Sequence, residues 1–315
     1  MKKNKNLDFD KPKVIILAGP TGSGKTSFGV KLALDLDAEI INADSMQVYR
    51  GMDIGTATPT PDEQKGIPHH LFNIVDPDEE FNAALYRERA LPVIRDITIR
   101  NKVCIILGGT GLYIKSLLEG LFKCPARDLG LREKLGKECD LYGSQRLYER
   151  LAFLDADYAK KIHPNDKLRI IRGLEIYHLT NDLPSSLIKA QQQSKELDPL
   201  MFYLTMDRKK LYEMINLRSE AMLEAGLLDE TKKLLENGYS PSLKSMKAIG
   251  YRHMIKVING EYSMEDALEI LKRDTRRYAK RQLTWFAADA QYKSIFFNQF
   301  YQVKDEITTF LVHTV

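Results

Sequence analysis

Short apolar runs alternate with amphipathic stretches through the first third of the chain. Val14-Ile15-Ile16-Leu17-Ala18 carries no polar interruption and predicts a buried strand. Glycines follow it, and then a helical pattern over about 25–34. Glu39-Ile40-Ile41-Asn42 predicts a second short strand. Val103-Cys104-Ile105-Ile106-Leu107 predicts a third, again followed by glycines and a helical pattern over 112–118. Strand, glycine turn and helix, repeated, define an α/β class with a parallel sheet flanked by helices. Met201-Phe202-Tyr203-Leu204-Thr205 fits one further strand.

Between about 121 and 200 no strand pattern occurs. The segment is charged and helical in pattern, and it ends in the polar stretch Gln191-Gln192-Gln193-Ser194-Lys195. It reads as a helical insertion or lid bounded by Cys124-Pro125 and Asp198-Pro199. The expected division is a first core part over 1–120, the insertion over 121–200, and core completion with C-terminal helices over 201–315. From Arg208 the pattern is helical nearly to the end, broken at Gly238-Tyr239-Ser240-Pro241 and Asn259-Gly260.

Composition narrows the class. The 315 residues are 43% hydrophobic and 29% charged, as expected of a globular chain with a large core. A net charge of +4 permits a nucleic-acid partner without requiring one. Cys104, Cys124 and Cys139 have no CxxC spacing, which argues against a zinc ribbon or a disulfide framework. Cys104 lies in an apolar run and reads as a small buried hydrophobe. Residues 1–10 are polar and lysine-rich with no apolar stretch after them, and no run of 18 apolar residues occurs. The expectation is a cytoplasmic protein without a membrane partner.

Gly19-Pro20-Thr21-Gly22-Ser23-Gly24-Lys25-Thr26 matches G-x-x-x-x-G-K-[ST], the P-loop that ordinarily marks ATP binding. It follows a predicted strand and opens a predicted helix. Its backbone N–H groups would converge on phosphate oxygens, Lys25 would neutralise them, and Thr26 would reach a Mg²⁺ ion. A Walker-B strand ends in an acid, but the strand at 103–107 runs into Gly108-Gly109-Thr110 instead. The acid in a suitable place is Asp44, after the second strand. In parallel sheets the ligand crevice lies at the carboxyl ends of the strands. The P-loop, Asp44 and Thr110 are therefore aimed at one crevice, which could pair a general base with a diphosphate cradle. Asp44 also reads as an ordinary turn or N-cap aspartate.

At residues 44–59, DSMQVYRGMDIGTATP, the chain resembles the tRNA dimethylallyltransferase family. The likeness continues through Pro68-His69-His70-Leu71, Gly108-Gly109-Thr110-Gly111-Leu112-Tyr113 and His163-Pro164-Asn165-Asp166. Ile249-Gly250-Tyr251-Arg252 and residues 276–286, RRYAKRQLTWF, complete it. The blocks run in family order from 14 to 286, and the resemblance is to the bacterial form. It implies a P-loop core with a helical insertion, dimethylallyl diphosphate as donor, and as acceptor N6 of the adenine 3′ of the tRNA anticodon, extruded for reaction. Carried over by position, Asp44 would hold N6 and act as base. Thr110 would bond the bridging diphosphate oxygen, and Lys25, Arg218, the P-loop amides and Mg²⁺ on Thr26 would hold the leaving group.

The same resemblance implies tRNA contacts from Asp44, Ser45, Met46 and Gln47, and from Arg169 and Arg172 of the insertion. It adds Lys247, Gly250 and Arg252, and then Arg277, Lys280, Arg281, Gln282 and Trp285. Lys272, Arg273, Arg276, Arg277, Lys280 and Arg281 cluster near the end, five of them on one helical face with Asp274 offset. Such a face reads either as a solvated surface or as an RNA contact. Trp285, the sole tryptophan, reads equally as core or base stack. His69, His70 and His163 invite a metal reading, lack a third ligand at suitable spacing, and read as capping or packing groups. Two departures stand out. Ala287 follows Trp285-Phe286 where relatives carry arginine, and Gly22 stands where many carry alanine. The eukaryotic C-terminal zinc finger has no counterpart in this sequence. Rival readings are an adenylate isopentenyltransferase acting on a free nucleotide, a small-molecule kinase, and a non-catalytic RNA-binding protein. The expected assembly is a monomer.

Overall fold

The computed structural model describes residues 11–120, 125–190 and 196–312. The lysine-rich tail at 1–10, Cys124 and the polar stretch at 191–195 lie outside the described residues. The chain divides into two compact units. One comprises Met1–Leu118 with Lys195–Val315, and the other is Glu119–Ser194.

The first unit holds one six-stranded sheet, ordered β3-β2-β4-β1-β5-β6 with every pair parallel. Its strands are β1 (Lys13–Ala18), β2 (Ala38–Asn42), β3 (His69–His70), β4 (Val103–Gly108), β5 (Asp198–Thr205) and β6 (Lys293–Phe296). The continuous apolar runs of β1 and β4 follow from cover on both faces. Val14, Ile16 and Ala18 enter one core with Ile41 and Ile106. Ile15 and Leu17 enter the other with Phe28, Ile40 and Ile105. Two strands carry no signal in the sequence. β3 is only two residues long, and β6 has four residues of which only Ile295 is buried. The C-terminal segment is thus not helical throughout, as its pattern suggested. His69 and His70 are strand residues: His70 Nε2 lies 2.7 Å from Glu39, and His69 Nδ1 lies 2.7 Å from the Ile67 carbonyl.

Register decides where the site forms. Ala18 pairs with Gly108 and Asn42 with Leu107, so β1, β2 and β4 end at the same edge. The helices Arg208–Glu224, Leu227–Glu236, Tyr251–Ile258 and Met264–Ala287 complete this unit with Phe300–Val312. Cys104 is buried, and burial pushes its thiol up to about 12, so it is inert. Among the described residues no helix is long and apolar enough to cross a membrane.

The second unit is helical, with Leu129–Tyr142, Ser144–Leu154 and Lys167–Thr180 packed around Leu135, Leu147, Leu151, Ile170 and Leu174. At its centre Glu175 is fully buried. Burial pushes its carboxyl up, but Arg132, Arg172 and the Asp128 N–H outweigh that and hold it at about 2.

Candidate active site

β1 runs directly into the phosphate loop, and Lys25 opens the helix Lys25–Leu36. Gly24 caps that helix with φ of 82°, a left-handed conformation that glycine adopts without strain. Past the ends of β2 and β4 the pairing continues. The Ala43 N–H donates to Leu107 O at 2.8 Å and the Thr110 N–H to Ala43 O at 3.0 Å. This seats Asp44 beside Thr110. A Cβ on Gly108 would stand 2.2 Å from the Ala43 carbonyl, so glycine is required at that approach.

Buried Asn42 clamps the acid. Its Oδ1 accepts from the Asp44 N–H at 2.8 Å, and its Nδ2 donates to Asp44 O and Leu71 O, both at 3.1 Å. Asp44 Oδ1 accepts from the Met46 N–H at 2.9 Å, so Asp44 does organise a turn, and it also lines the pocket. The Ser45 N–H donates to Thr110 Oγ1 at 2.9 Å, joining the two loops.

That pocket has a volume of about 320 Å³. Lys25, Arg218, Lys247, Arg252 and Arg281 line it with Thr26 and Tyr278, and Asp44 is the sole carboxylate of the lining. Met46, Ile215, Met222, Ile249 and Leu271 give it an apolar wall. Arg218, from the helix Arg208–Glu224, donates to Thr21 Oγ1 at 3.1 Å and so leans on the phosphate loop. Burial pushes the Lys25 amine down to about 8; the Asp44 charge opposes this and Arg218 adds to it. Burial also lowers Arg218. A cluster of cations held short of full solvation is a site built for a polyanion.

The profile of the family described as IPP transferase matches residues 47–289, most of the chain. The chain belongs to the IPP transferase family. Its similarity to tRNA dimethylallyltransferase 2 of Geotalea uraniireducens is 47% identity over 282 residues, covering 89% of this chain and 91% of that protein. The structure of the full-length tRNA isopentenylpyrophosphate transferase from Bacillus halodurans matches with a TM-score of 0.71 at 40% identity, over 95% of this chain and 96% of that one. A eukaryotic dimethylallyltransferase described as acting on tRNA matches with a TM-score of 0.73 at 32% identity, over 90% of this chain and 73% of that one.

Within this IPP transferase family chain, most residues singled out by sequence fall into three groups, while Thr110, expected to face the crevice, is not among the residues lining the pocket and is tied to Ser45 instead. Lys25, Thr26, Thr21, Asp44, Ser45, Met46, Gln47, Arg218, Lys247, Arg252 and Arg281 all line the one pocket. Arg277 and Lys280 lie exposed on the long helix Met264–Ala287, and Gly250 caps the helix Tyr251–Ile258. Arg169 and Arg172 lie in the helical unit: exposed Arg169 pairs with Asp166, whereas Arg172 donates to buried Glu175 and to Pro125 O.

Gln282 departs from expectation. It is 5% exposed, its Oε1 accepting from the Thr21 N–H and its Nε2 donating to Gly109 O, both at 2.9 Å. It braces the phosphate loop against the Gly108-Gly109 turn and is not free to meet RNA in this structure. Trp285 is 43% exposed, with its indole against Gly111, where a Cβ would stand 2.0 Å from Nε1. Lys272, the clustered cation outside the expected five-residue face, is paired with Glu220 and Glu269 at 2.7 and 2.9 Å. Asp274, expected offset from that face, contacts it directly.

Three contributors carried no readable signal. Asn42 closes an apolar strand, and Tyr278 is hidden among arginines and lysines. Glu230 accepts from the N–H groups of Asp53, Ile54 and Gly55 at 3.0, 2.9 and 3.1 Å and from Tyr251 Oη at 2.6 Å, fixing the segment that lines the pocket through Gly55 and Thr56. Glu230's partners lie 21 to 177 residues away, and Asn42 reaches Leu71 across 29 residues besides its neighbour Asp44.

Among the described residues no group of three or more His, Cys, Asp and Glu side chains could hold a metal. Thr26, next to Lys25 in the phosphate loop, brings a hydroxyl to the pocket lining, as Thr21 does. That sparse set fits Mg²⁺, which keeps waters and is commonly held through substrate phosphates.

Proposed function

We propose that this chain transfers a dimethylallyl group from dimethylallyl diphosphate to N6 of the adenine adjacent to the anticodon on its 3′ side. The substrates are tRNAs that read codons beginning with U. What carries this reading is one carboxylate, Asp44, sharing the lining of a pocket with five cations and with Thr21, Lys25 and Thr26 of the phosphate loop. The diphosphate lies against the loop amides, Lys25 and Arg218, and the prenyl group against the apolar wall. The adenine is extruded from its stack to reach the allylic carbon.

The N6 lone pair forms the new C–N bond as the C–O bond breaks and its electrons pass to the diphosphate. The N6 proton passes to Asp44. Lys25, Arg218 and the Thr110 hydroxyl act on charge that grows as the diphosphate leaves, which is where fixed donors contribute most to rate. Thr26 would hold a Mg²⁺ ion, which when bound would supply further neutralisation of the leaving group. The protein acts in the cytoplasm as a monomer, with the anticodon stem-loop of tRNA as its partner.

Labelled dimethylallyl diphosphate offered with unmodified tRNA and with adenosine monophosphate tests the reading. Label is expected in tRNA and not in the mononucleotide, with Mg²⁺ accelerating transfer. Label in the mononucleotide alone would assign the adenylate isopentenyltransferase reaction instead.

A further inference from the structure

Asp274 sits in the middle of the cationic stretch of the helix Met264–Ala287, and its carboxylate is a meeting point of side chains from two helices. Oδ2 accepts from Arg252 Nη2 at 2.5 Å and lies 3.3 Å from His253 Nε2. Oδ1 accepts from Arg273 Nε at 3.2 Å and lies 3.9 Å from Arg277 Nη1. The carboxylate is 16% exposed, whereas the Arg252, Arg273 and Arg277 side chains are 42%, 49% and 66% exposed.

His253 supports the carboxylate from within. The Gly250 N–H donates to its Nδ1 at 3.2 Å, which leaves the proton of the neutral ring on Nε2, facing Asp274. The ring is 2% exposed, and burial favours its neutral form. A backbone amide, an imidazole and a carboxylate thus form a chain that ends on Arg252, which lines the pocket. An arginine tethered in this way loses less rotamer freedom when it meets a phosphate than one that waves in solvent.

We infer that Asp274, held by His253, is a positioning residue that presets Arg252, together with Arg273 and Arg277, as a fan of guanidinium groups for RNA phosphates. The inference rests on the tRNA reading above. It opposes simple charge counting, under which removal of a carboxylate from a cationic face strengthens RNA binding. The two views differ in sign.

The test compares wild type with Asp274→Asn for tRNA affinity at fixed salt and for KM of each substrate. Positioning predicts a tRNA Kd raised roughly tenfold, the size of one lost charge-assisted contact, with the KM for dimethylallyl diphosphate unchanged. In an Arg252→Ala background the same substitution is expected to add much less than in wild type, because the two residues act together. Tighter or unchanged tRNA binding by Asp274→Asn overturns the proposal. If that variant does not fold, Arg252→Lys keeps the charge and Asp274 but removes the fork. It must then weaken tRNA binding alone, and full affinity in it overturns the proposal. Wild type that fails to bind or modify tRNA would sink the tRNA reading itself, a result distinct from either variant's behaviour.

Discussion

Thr110 Oγ1 accepts a hydrogen bond from the backbone N–H of Ser45 at 2.9 Å, across 65 residues of sequence. The bond ties the glycine turn after β4 to the turn that carries Asp44. Thr110→Ser keeps the hydroxyl and is expected to retain most activity. Thr110→Val removes the acceptor and the donor together, and kcat for transfer should fall about a hundredfold, in line with loss of one charge-stabilising donor. Equal kcat values for the two variants would deny Thr110 a part in the chemistry.

Gln282 offers a sharper distinction, because its two readings differ in observable. As an internal strut, Gln282→Ala leaves the Thr21 N–H and the Gly109 carbonyl unpaired. That should lower stability by about 1–3 kcal/mol and weaken diphosphate binding. As an RNA contact, it would instead lower tRNA affinity and leave the melting temperature alone. Chemical denaturation alongside titration with inorganic diphosphate and with tRNA separates the two.

The depressed Lys25 amine sets a pH dependence with a definite sign. With a folded pKa of about 8 against an ordinary 10.5, the unliganded protein binds fewer protons than the unfolded chain between those values. Stability of the unliganded protein should therefore rise as pH climbs through that window, since the cost of burying the charged amine is relieved. Affinity for diphosphate should move the opposite way and decline above pH 8, because the anion needs the charged form. Lys25→Arg should flatten this decline, and an identical pH profile for both proteins would contradict it.

Gly22 stands where many relatives carry alanine, and glycine was expected to be tolerated there. Its φ is 81°, and a Cβ there would lie 2.8 Å from Ile215 Cγ1. Gly22→Ala should destabilise by roughly 1–2 kcal/mol from the left-handed backbone alone and raise the KM for the donor. Thermal melts with and without diphosphate would measure both.

Much of this was readable in advance, and for a physical reason. The runs at 14–18 and 103–107 are apolar throughout because both faces of the sheet are covered. The phosphate loop and Asp44 follow strand ends whose register brings them together. The strands His69–His70 and Lys293–Phe296 escaped notice because they are only two and four residues long, and their pairing is set by neighbours rather than by their own pattern. Gln282 and Asp274 misled for a related reason. A polar residue in a basic helix gives no sign of whether it meets solvent or buried backbone, and only the fold decides that.

The proposed transfer needs Asp44 as the base opposite the diphosphate cradle. Single-turnover transfer of labelled dimethylallyl to tRNA by wild type and by Asp44→Asn, with tRNA and donor saturating, tests it most directly. Loss of the transfer rate by about a hundredfold to ten-thousandfold, the usual worth of a general base, with diphosphate binding intact, is the predicted result. Transfer by Asp44→Asn at the wild-type rate would contradict the mechanism while leaving the enzyme's family in place.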